Sequence, residues 1–96
     1  MITKNDIIKF ISENKIKQKY HLLKIGLFGS FAKGLEKENS DIDIIIEYDK
    51  IADIYETKQE LKKLFKKKFN RDVDIAREHY LKDYIKDKIL KETIYV

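Results

Sequence analysis

Two small residues and two acidic residues stand at a spacing that could support phosphate chemistry. Gly29 and Ser30 follow an apolar segment, and ten residues separate Ser30 from Asp41, the first acid of the pair Asp41 and Asp43. Glycine lets the backbone approach a ligand closely, and successive N–H groups at a helix start can hold phosphate oxygens. Carboxylates at alternate positions of a strand point the same way and offer the oxygen ligands that Mg²⁺ prefers.

A third carboxylate further along the chain would complete such a site. Asp74, or Asp72, lies in a short alternating segment that predicts a neighbouring strand. Three carboxylates on adjacent strands could hold two divalent ions for an in-line displacement at phosphorus. Each signal alone has a simpler interpretation, because an Asp-x-Asp pair is commonly a solvated turn and Gly-Ser commonly ends a strand. The spacing that joins the signals is what favours a phosphoryl-transfer site.

Hydrophobic periodicity predicts the elements that would position these residues. Helical spacing predicts helices over about residues 4–18, 53–69 and 81–92. Short apolar or alternating segments predict strands over residues 22–28, 41–47 and 72–76. Residues 30–39 predict a turn or a short helix, and residues 94–96 predict an apolar tail.

The second predicted strand separates isoleucines from aspartates. Ile42, Ile44 and Ile46 alternate with Asp41 and Asp43, so the carboxylates lie on the face opposite these three isoleucines. A helical crossover between the second and third strands favours parallel pairing, whereas the first two strands could be antiparallel. The predicted fold class is therefore α/β (α+β), with helices packed on a small, mixed three-stranded sheet in the order αβ(α)βαβα.

The composition bounds the class of protein. Ninety-six residues suffice for a single small domain over residues 1–96. The absence of cysteine excludes disulfides, thiolate metal sites and cysteine nucleophiles. No apolar stretch is long enough to span a membrane and the charged start lacks a secretory signal, so we expect a cytoplasmic protein with no membrane partner.

Basic residues slightly outnumber acidic ones, and the formal net charge is +4. Five lysines of the middle helix fall on its polar side, where a solvated face is the expected role: Lys62, Lys63, Lys66, Lys67 and Lys68. Contact of these lysines with nucleic acid is the minority interpretation, and direct nucleic-acid binding is not expected.

The joined motif resembles the signature of a known family. Gly29-Ser30-Phe31-Ala32-Lys33-Gly34, five further residues and then Ser40-Asp41-Ile42-Asp43 resemble the DNA polymerase beta-like nucleotidyltransferase superfamily. Within that superfamily the sequence is most similar to the minimal nucleotidyltransferase (MNT) antitoxins of HEPN–MNT toxin–antitoxin systems. The resemblance implies a nucleotidyltransferase-like fold over nearly the whole chain.

The resemblance also implies roles for individual residues. It implies Mg²⁺, as two ions, and ATP as substrate. Gly29 and Ser30 would hold the outer phosphates of the nucleotide, joined by Lys33, where the family often has arginine. Lysine keeps the charge of arginine without its planar fork. The three aspartates would be both catalytic residues and metal ligands, and the third would also help to deprotonate the acceptor: Asp41, Asp43 and Asp74.

The implied activity is that of a protein adenylyltransferase and antitoxin. Such an enzyme would transfer AMP from ATP to a tyrosine hydroxyl of a cognate HEPN ribonuclease toxin, with which it would form a hetero-oligomer. One alternative is a non-catalytic antitoxin that masks the toxin by stoichiometric binding. The small size of the chain is the reason to consider it. A third, weaker option is a nucleic-acid-binding module that uses the lysine-rich helix.

Overall fold

The computed structural model describes residues 2–48 and 53–96. Within these residues the strands form one mixed, four-stranded sheet in the order β3-β2-β1-β4. A short 3₁₀ turn, Glu78–Tyr80, precedes the last helix. The strands are β1 (Leu22–Phe28), β2 (Ile42–Tyr48), β3 (Val73–Arg77) and β4 (Ile94–Tyr95). The helices are α1 (Lys4–Glu13), α2 (Ile16–Lys19), α3 (Gly29–Lys33), α4 (Ile54–Phe69) and α5 (Asp83–Glu92).

The strand directions follow the lengths of the connections. β1 and β2 pair antiparallel, and β2 and β3, which α4 connects, pair parallel. The predicted mixed sheet is confirmed, but the predicted number of three strands is wrong. Ile94 and Tyr95, predicted as an apolar tail, pair antiparallel with Leu27 and Gly26 of β1. Two residues are too few to show an alternating pattern, so this strand leaves no periodic signal in the sequence.

The predicted single helix over residues 4–18 is also wrong, because it is two helices. Thr3 and Asp6 begin α1 as predicted, and the Thr3 N–H donates to the Asp6 carboxylate at 2.8 Å. The Asn14 side chain donates to the Phe10 carbonyl at 2.9 Å, and Lys15 adopts a left-handed conformation with φ of 49°. An asparagine side chain that binds its own helix backbone competes with the next helical turn, and the chain begins the separate helix α2 after Lys15.

The core lies on one face of the sheet. Ile42, Ile44 and Ile46 of β2 are buried there against residues of α1 and α4, as their alternation predicts. Phe65 of α4 meets Phe10 of α1 edge-to-face with ring centroids 5.5 Å apart. Burial of these side chains fixes which face of β2 turns inward, and therefore which face carries the acidic residues.

The opposite face of the sheet is covered in part by α5. This helix packs against β1 and α3. Ile45 is buried on this face, next to the half-buried Asp43 on the same side of β2. In the described part of the chain, no helix combines the length and apolar character needed to cross a membrane.

Candidate active site

The sheet brings two of the predicted aspartates side by side. Asp43 of β2 is the register partner of Asp74 of β3 across the parallel ladder. Side chains of registered residues stand on the same face of a sheet, so both carboxylates lie on the face opposite the core. On its other flank Asp43 is paired with Phe28, the last residue of β1. Asp43 therefore lies where β1, β2 and β3 meet beside the start of α3.

Gly29 lies against the Asp43 side chain at the end of β1. It follows β1 directly and adopts a left-handed backbone with φ of +73°. A Cβ built on Gly29 would overlap the Asp43 carboxylate, whereas a Cβ on Gly34, with φ of +71°, would meet nothing within 4 Å. Only glycine at position 29 gives both the turn and the space. Ser30 follows within α3, so the backbone of the predicted phosphate-binding pair lies beside the acid.

Asp43 is the residue whose ionisation the site perturbs most. Its burial, and then the negative charges of Asp74, Asp41 and Glu92, raise the pKa of Asp43 from 3.8 to about 6. Desolvation and like charges both disfavour the ionised form of a carboxyl group. A bound cation would remove this repulsion, since it neutralises several carboxylates at once.

Asp41 and Asp74 are exposed, and their negative charges add to the effect of burial in raising the pKa of Asp43. In the residues described, no three acidic or histidine side chains surround a common point tightly enough to bind an ion between them. The donor set still suits a hard divalent cation, because all of its members are carboxylate oxygens. Asp72 points elsewhere: its carboxylate pairs with Lys66 of α4 at 3.3 Å. Of the two sequence alternatives for the third acid, Asp74 is the one at the site.

Lys33 lies at the end of α3 and forms an ion pair with a residue outside the predicted set of site residues. The Lys33 Nζ stands 2.9 Å from Oε2 of Glu92, the last residue of α5. Glu92 also contributes to the raised pKa of Asp43. Because Glu92 comes from the far end of the chain, no spacing within the motif could indicate it. The site therefore contains one more carboxylate and one ion pair beyond the predicted set.

The other conspicuous residues lie away from this corner. Lys66 is paired with Asp72, and the remaining lysines of the α4 cluster are exposed. His21 and His79 are exposed as well, and no metal-binding group forms around either of them in residues 2–48 and 53–96.

A family model described as a nucleotidyltransferase domain matches residues 7–96. The chain belongs to the nucleotidyltransferase domain family. The predicted nucleotidyltransferase class, a transferase that moves a nucleotidyl group, is confirmed by this match. Protein adenylyltransferase MntA of Thermococcus cleftensis is 29% identical to this nucleotidyltransferase over 98 residues, which cover 100% of this chain and 98% of the relative.

Solved structures share the fold of this nucleotidyltransferase. A minimal nucleotidyltransferase superposes with a TM-score of 0.80 at 20% identity, covering 97% of this chain and 95% of that one. A toxin–antitoxin crystal structure with AMP-PNP gives 0.70 at 24% identity, covering 98% and 72%. A tri-AMPylated Shewanella oneidensis HEPN toxin in complex with an MNT antitoxin gives 0.58 at 23% identity, covering 96% and 66%. The predicted fold class is confirmed by these likenesses.

Proposed function

We propose that this single-domain nucleotidyltransferase transfers AMP from ATP to a tyrosine hydroxyl of a cognate HEPN toxin, and so neutralises it in the cytoplasm. The observation that carries the proposal is the position of Asp43, between the Gly29 turn and the carboxylate-bearing Asp74. A relative named a protein adenylyltransferase and a similar fold found with an AMPylated HEPN toxin support the choice of reaction and partner.

The glycine turn is the part of the site that would bind the nucleotide. With no side chain at Gly29, the backbone of Gly29 and Ser30 is open to the outer phosphates of ATP. Lys33, on the same short helix, would add a positive charge for those phosphates. The AMP-PNP found with a toxin–antitoxin pair of similar fold supports an adenine nucleotide as the donor.

The carboxylates are the part that would hold magnesium. Asp41, Asp43 and Asp74 fit the ion because they are hard oxygen donors, and their mutual repulsion adds to the burial that raises the pKa of Asp43. When bound, Mg²⁺ supplies positive charge that stabilises the phosphoryl group in the transition state. The protein itself contributes mainly position, since the sheet fixes Asp43 and Asp74 as neighbours.

The acceptor side of the reaction requires a group that takes one proton. The tyrosine oxygen forms a bond to the α-phosphorus of ATP, and the bond from that phosphorus to the pyrophosphate oxygen breaks. Pyrophosphate leaves, and the hydroxyl proton passes to a carboxylate. Asp74 is the candidate base because it lies beside Asp43 and is exposed to an incoming protein.

A labelling experiment with matched aspartate variants tests this proposal. The protein, Mg²⁺ and α-labelled ATP are incubated with the cognate HEPN toxin, and label on the toxin is measured. We expect wild type and Asp72→Asn to label the toxin, because Asp72 is engaged by Lys66 away from the site. Asp43→Asn and Asp74→Asn should lower the rate by at least about a hundredfold. Equal labelling by Asp43→Asn and wild type would remove Asp43 from the mechanism.

Masking of the toxin by binding alone is the second candidate. Large apolar side chains are exposed and available to a partner, among them Leu35 at 68% and Tyr84 at 79% exposure. An Asp41→Ala and Asp43→Ala double variant separates the two functions, since masking would survive it. We expect this variant to form the complex and fail to silence the toxin.

A further inference from the structure

We propose that Glu92 is a positioning residue that holds Lys33 ready for the phosphates of the bound nucleotide. The two side chains form an ion pair at 2.9 Å, with Lys33 41% and Glu92 17% exposed. This inference rests on the proposed function, and it adds a residue of α5 that lies outside the Gly-Ser and Asp-x-Asp motif. Glu92 acts through Lys33 and is not itself a metal ligand.

Glu92 can position another residue because its own backbone is anchored. The Thr93 hydroxyl donates to the Ile89 carbonyl at 2.7 Å, which closes the last turn of α5. The next two residues pair with β1, and the Val96 N–H donates to the Ile25 carbonyl at 2.9 Å. The end of α5 is therefore joined to the same strand that leads into the Gly29 turn.

Gly26 is the residue of β1 that makes this anchoring possible. A Cβ at position 26 would lie 2.5 Å from the Thr93 Cγ2 atom and 3.1 Å from the Tyr95 ring. The Thr93 and Tyr95 side chains thus pack directly against the backbone of β1 at Gly26. As a result, the distance between the Glu92 backbone and α3 is set by the sheet.

The pair is more than a surface salt bridge because one partner is largely withdrawn from water. The pair formed by Lys9 and Glu13 of α1 has exposures of 72% and 65% and a separation of 3.9 Å, so it restrains neither side chain strongly. The Glu92 side chain is only 17% exposed, so water screens its ion pair less than it screens a pair on the open surface. Lys33 is the ion-pair partner that the described residues provide for it.

The remaining donors of Lys33 are the chemical reason for a role toward phosphate. An ammonium group has three N–H donors, and an ion pair with a single Glu92 oxygen leaves donors available for phosphate oxygens. A free lysine must give up several rotatable bonds to bind an anion, whereas a held lysine has already lost them. Glu92 would therefore increase nucleotide affinity even though it carries a negative charge.

Binding of AMP-PNP with Mg²⁺, measured by calorimetry, tests the proposal without toxin or turnover. We expect Glu92→Gln to weaken binding about fivefold, the scale expected when one long side chain must be ordered on binding. Lys33→Gln should weaken it about tenfold or more. In the Lys33→Gln background, Glu92→Gln should have no further effect, because the residue it orients is gone. Glu60→Gln, an exposed carboxylate on α4, is the matched control and should bind as wild type.

Each contrary outcome overturns the proposal in a distinct way. Wild-type affinity in Glu92→Gln would show that the pair has no role in binding, and tighter binding would show that Glu92 competes for Lys33. An equal loss with and without Lys33 would show that Glu92 acts independently of it. If Glu92→Gln lost the ability to bind Mn²⁺ in the absence of nucleotide, Glu92 would be a metal ligand. Failure of the wild type to bind AMP-PNP would also overturn the proposed function, whereas the preceding outcomes leave that function standing.

Kinetics with the toxin distinguish a positioning role of Glu92 from a purely structural one. We expect Glu92→Gln to raise KM for ATP while kcat changes less than twofold, because the carboxylate orients a binding group and touches no reacting atom. A thermal midpoint close to that of wild type, with KM raised, supports the proposal. A lowered midpoint with an unchanged KM contradicts it.

Discussion

The carboxylate of Asp43 occupies the space that a side chain at Gly29 would need. The Gly29 turn and the Asp43 carboxylate are therefore fitted to each other, so the residue at each position limits which residue the other can be. A larger residue at position 29 would displace the Asp43 carboxylate.

Substitution of Gly29 by alanine should cost more than the same change at Gly34. Both glycines have a left-handed backbone, which costs alanine about 1–2 kcal/mol. Gly29→Ala must in addition move the Asp43 carboxylate, adding about 1 kcal/mol, and it should abolish toxin labelling. Urea unfolding and the labelling assay, run on both variants, check this. Equal stability and equal activity of the two variants would contradict the overlap.

Asp43→Asn should stabilise the protein when divalent ions are chelated. Burial and nearby carboxylates raise the pKa of Asp43 in the folded protein to about 6. Asp43 therefore stays protonated up to a higher pH in the folded protein than in the unfolded chain. The wild type therefore loses stability as the pH rises through about 6, and it is not penalised below about pH 4. With an allowance for solvent screening, the variant should gain about 1 kcal/mol at neutral pH and nothing near pH 4.

Magnesium should reverse that order of stability. A ligand that binds only the folded state raises its stability, so Mg²⁺ should stabilise wild type and leave Asp43→Asn unchanged. Thermal melts with chelator and with excess Mg²⁺ measure both effects, and Asp72→Asn should behave as wild type in each. A variant that gained as much from Mg²⁺ as wild type would exclude Asp43 from the metal site.

Glu47 and Arg77 should make the fold sensitive to acid at the other end of β2. Burial alone would raise the pKa of Glu47, but bonds from the Arg77 Nη2 atom at 2.9 Å and the His79 N–H at 3.1 Å lower it. Stability from Glu47 is then present above its ordinary pKa of 4.5 and is lost as the pH falls through the lowered value.

Glu47→Gln is the variant that measures this contribution. It should cost about 2 kcal/mol at neutral pH, and the difference from wild type should shrink as the solution is acidified below about pH 4.5. Glu13→Gln breaks the exposed pair with Lys9 and should cost less than about 0.5 kcal/mol at any pH. A pH-independent loss in Glu47→Gln would show that the hydrogen bonds do not depend on the charge.

Gly26→Ala should loosen the end of α5, and a second substitution should partly restore it. The added methyl group meets the Thr93 Cγ2 atom, and such overpacking costs about 1–3 kcal/mol. Thr93→Ser removes that atom but keeps the hydroxyl that bonds to Ile89. The double variant should therefore be more stable than Gly26→Ala alone, and amide exchange in α5 should slow accordingly. Simple additivity of the two losses would contradict the contact.

The corner formed by Gly29, Asp43 and Asp74 could be predicted from the sequence because each part leaves a local signal. Alternation of isoleucine and aspartate specifies both the strand and the face of Asp43, and a helical crossover implies the parallel neighbour that carries Asp74. Burial of Ile42 and Ile44 then places the acid on the outer face without further information.

The partnership of Glu92 with Lys33 and the pairing of β4 could not be predicted in this way. Both depend on contacts between distant segments, and Ile94 and Tyr95 are too few to show a period. The separation of α1 from α2 could not be predicted for a different reason. There the Asn14 side chain ends α1 although the apolar pattern continues. In each case tertiary or side-chain contacts decide the structure, and local propensity does not.

The alternation in β2 makes the site unusually intolerant of changes in chain length. Deletion or insertion of one residue within Ile42–Tyr48 would turn the isoleucines outward and bury the acids, so the core would be lost together with the chemistry. Substitutions within β2 leave the direction of its side chains unchanged, so the strand tolerates them better than a change of length. Natural or engineered diversity in β2 should thus accumulate as substitutions rather than as insertions or deletions.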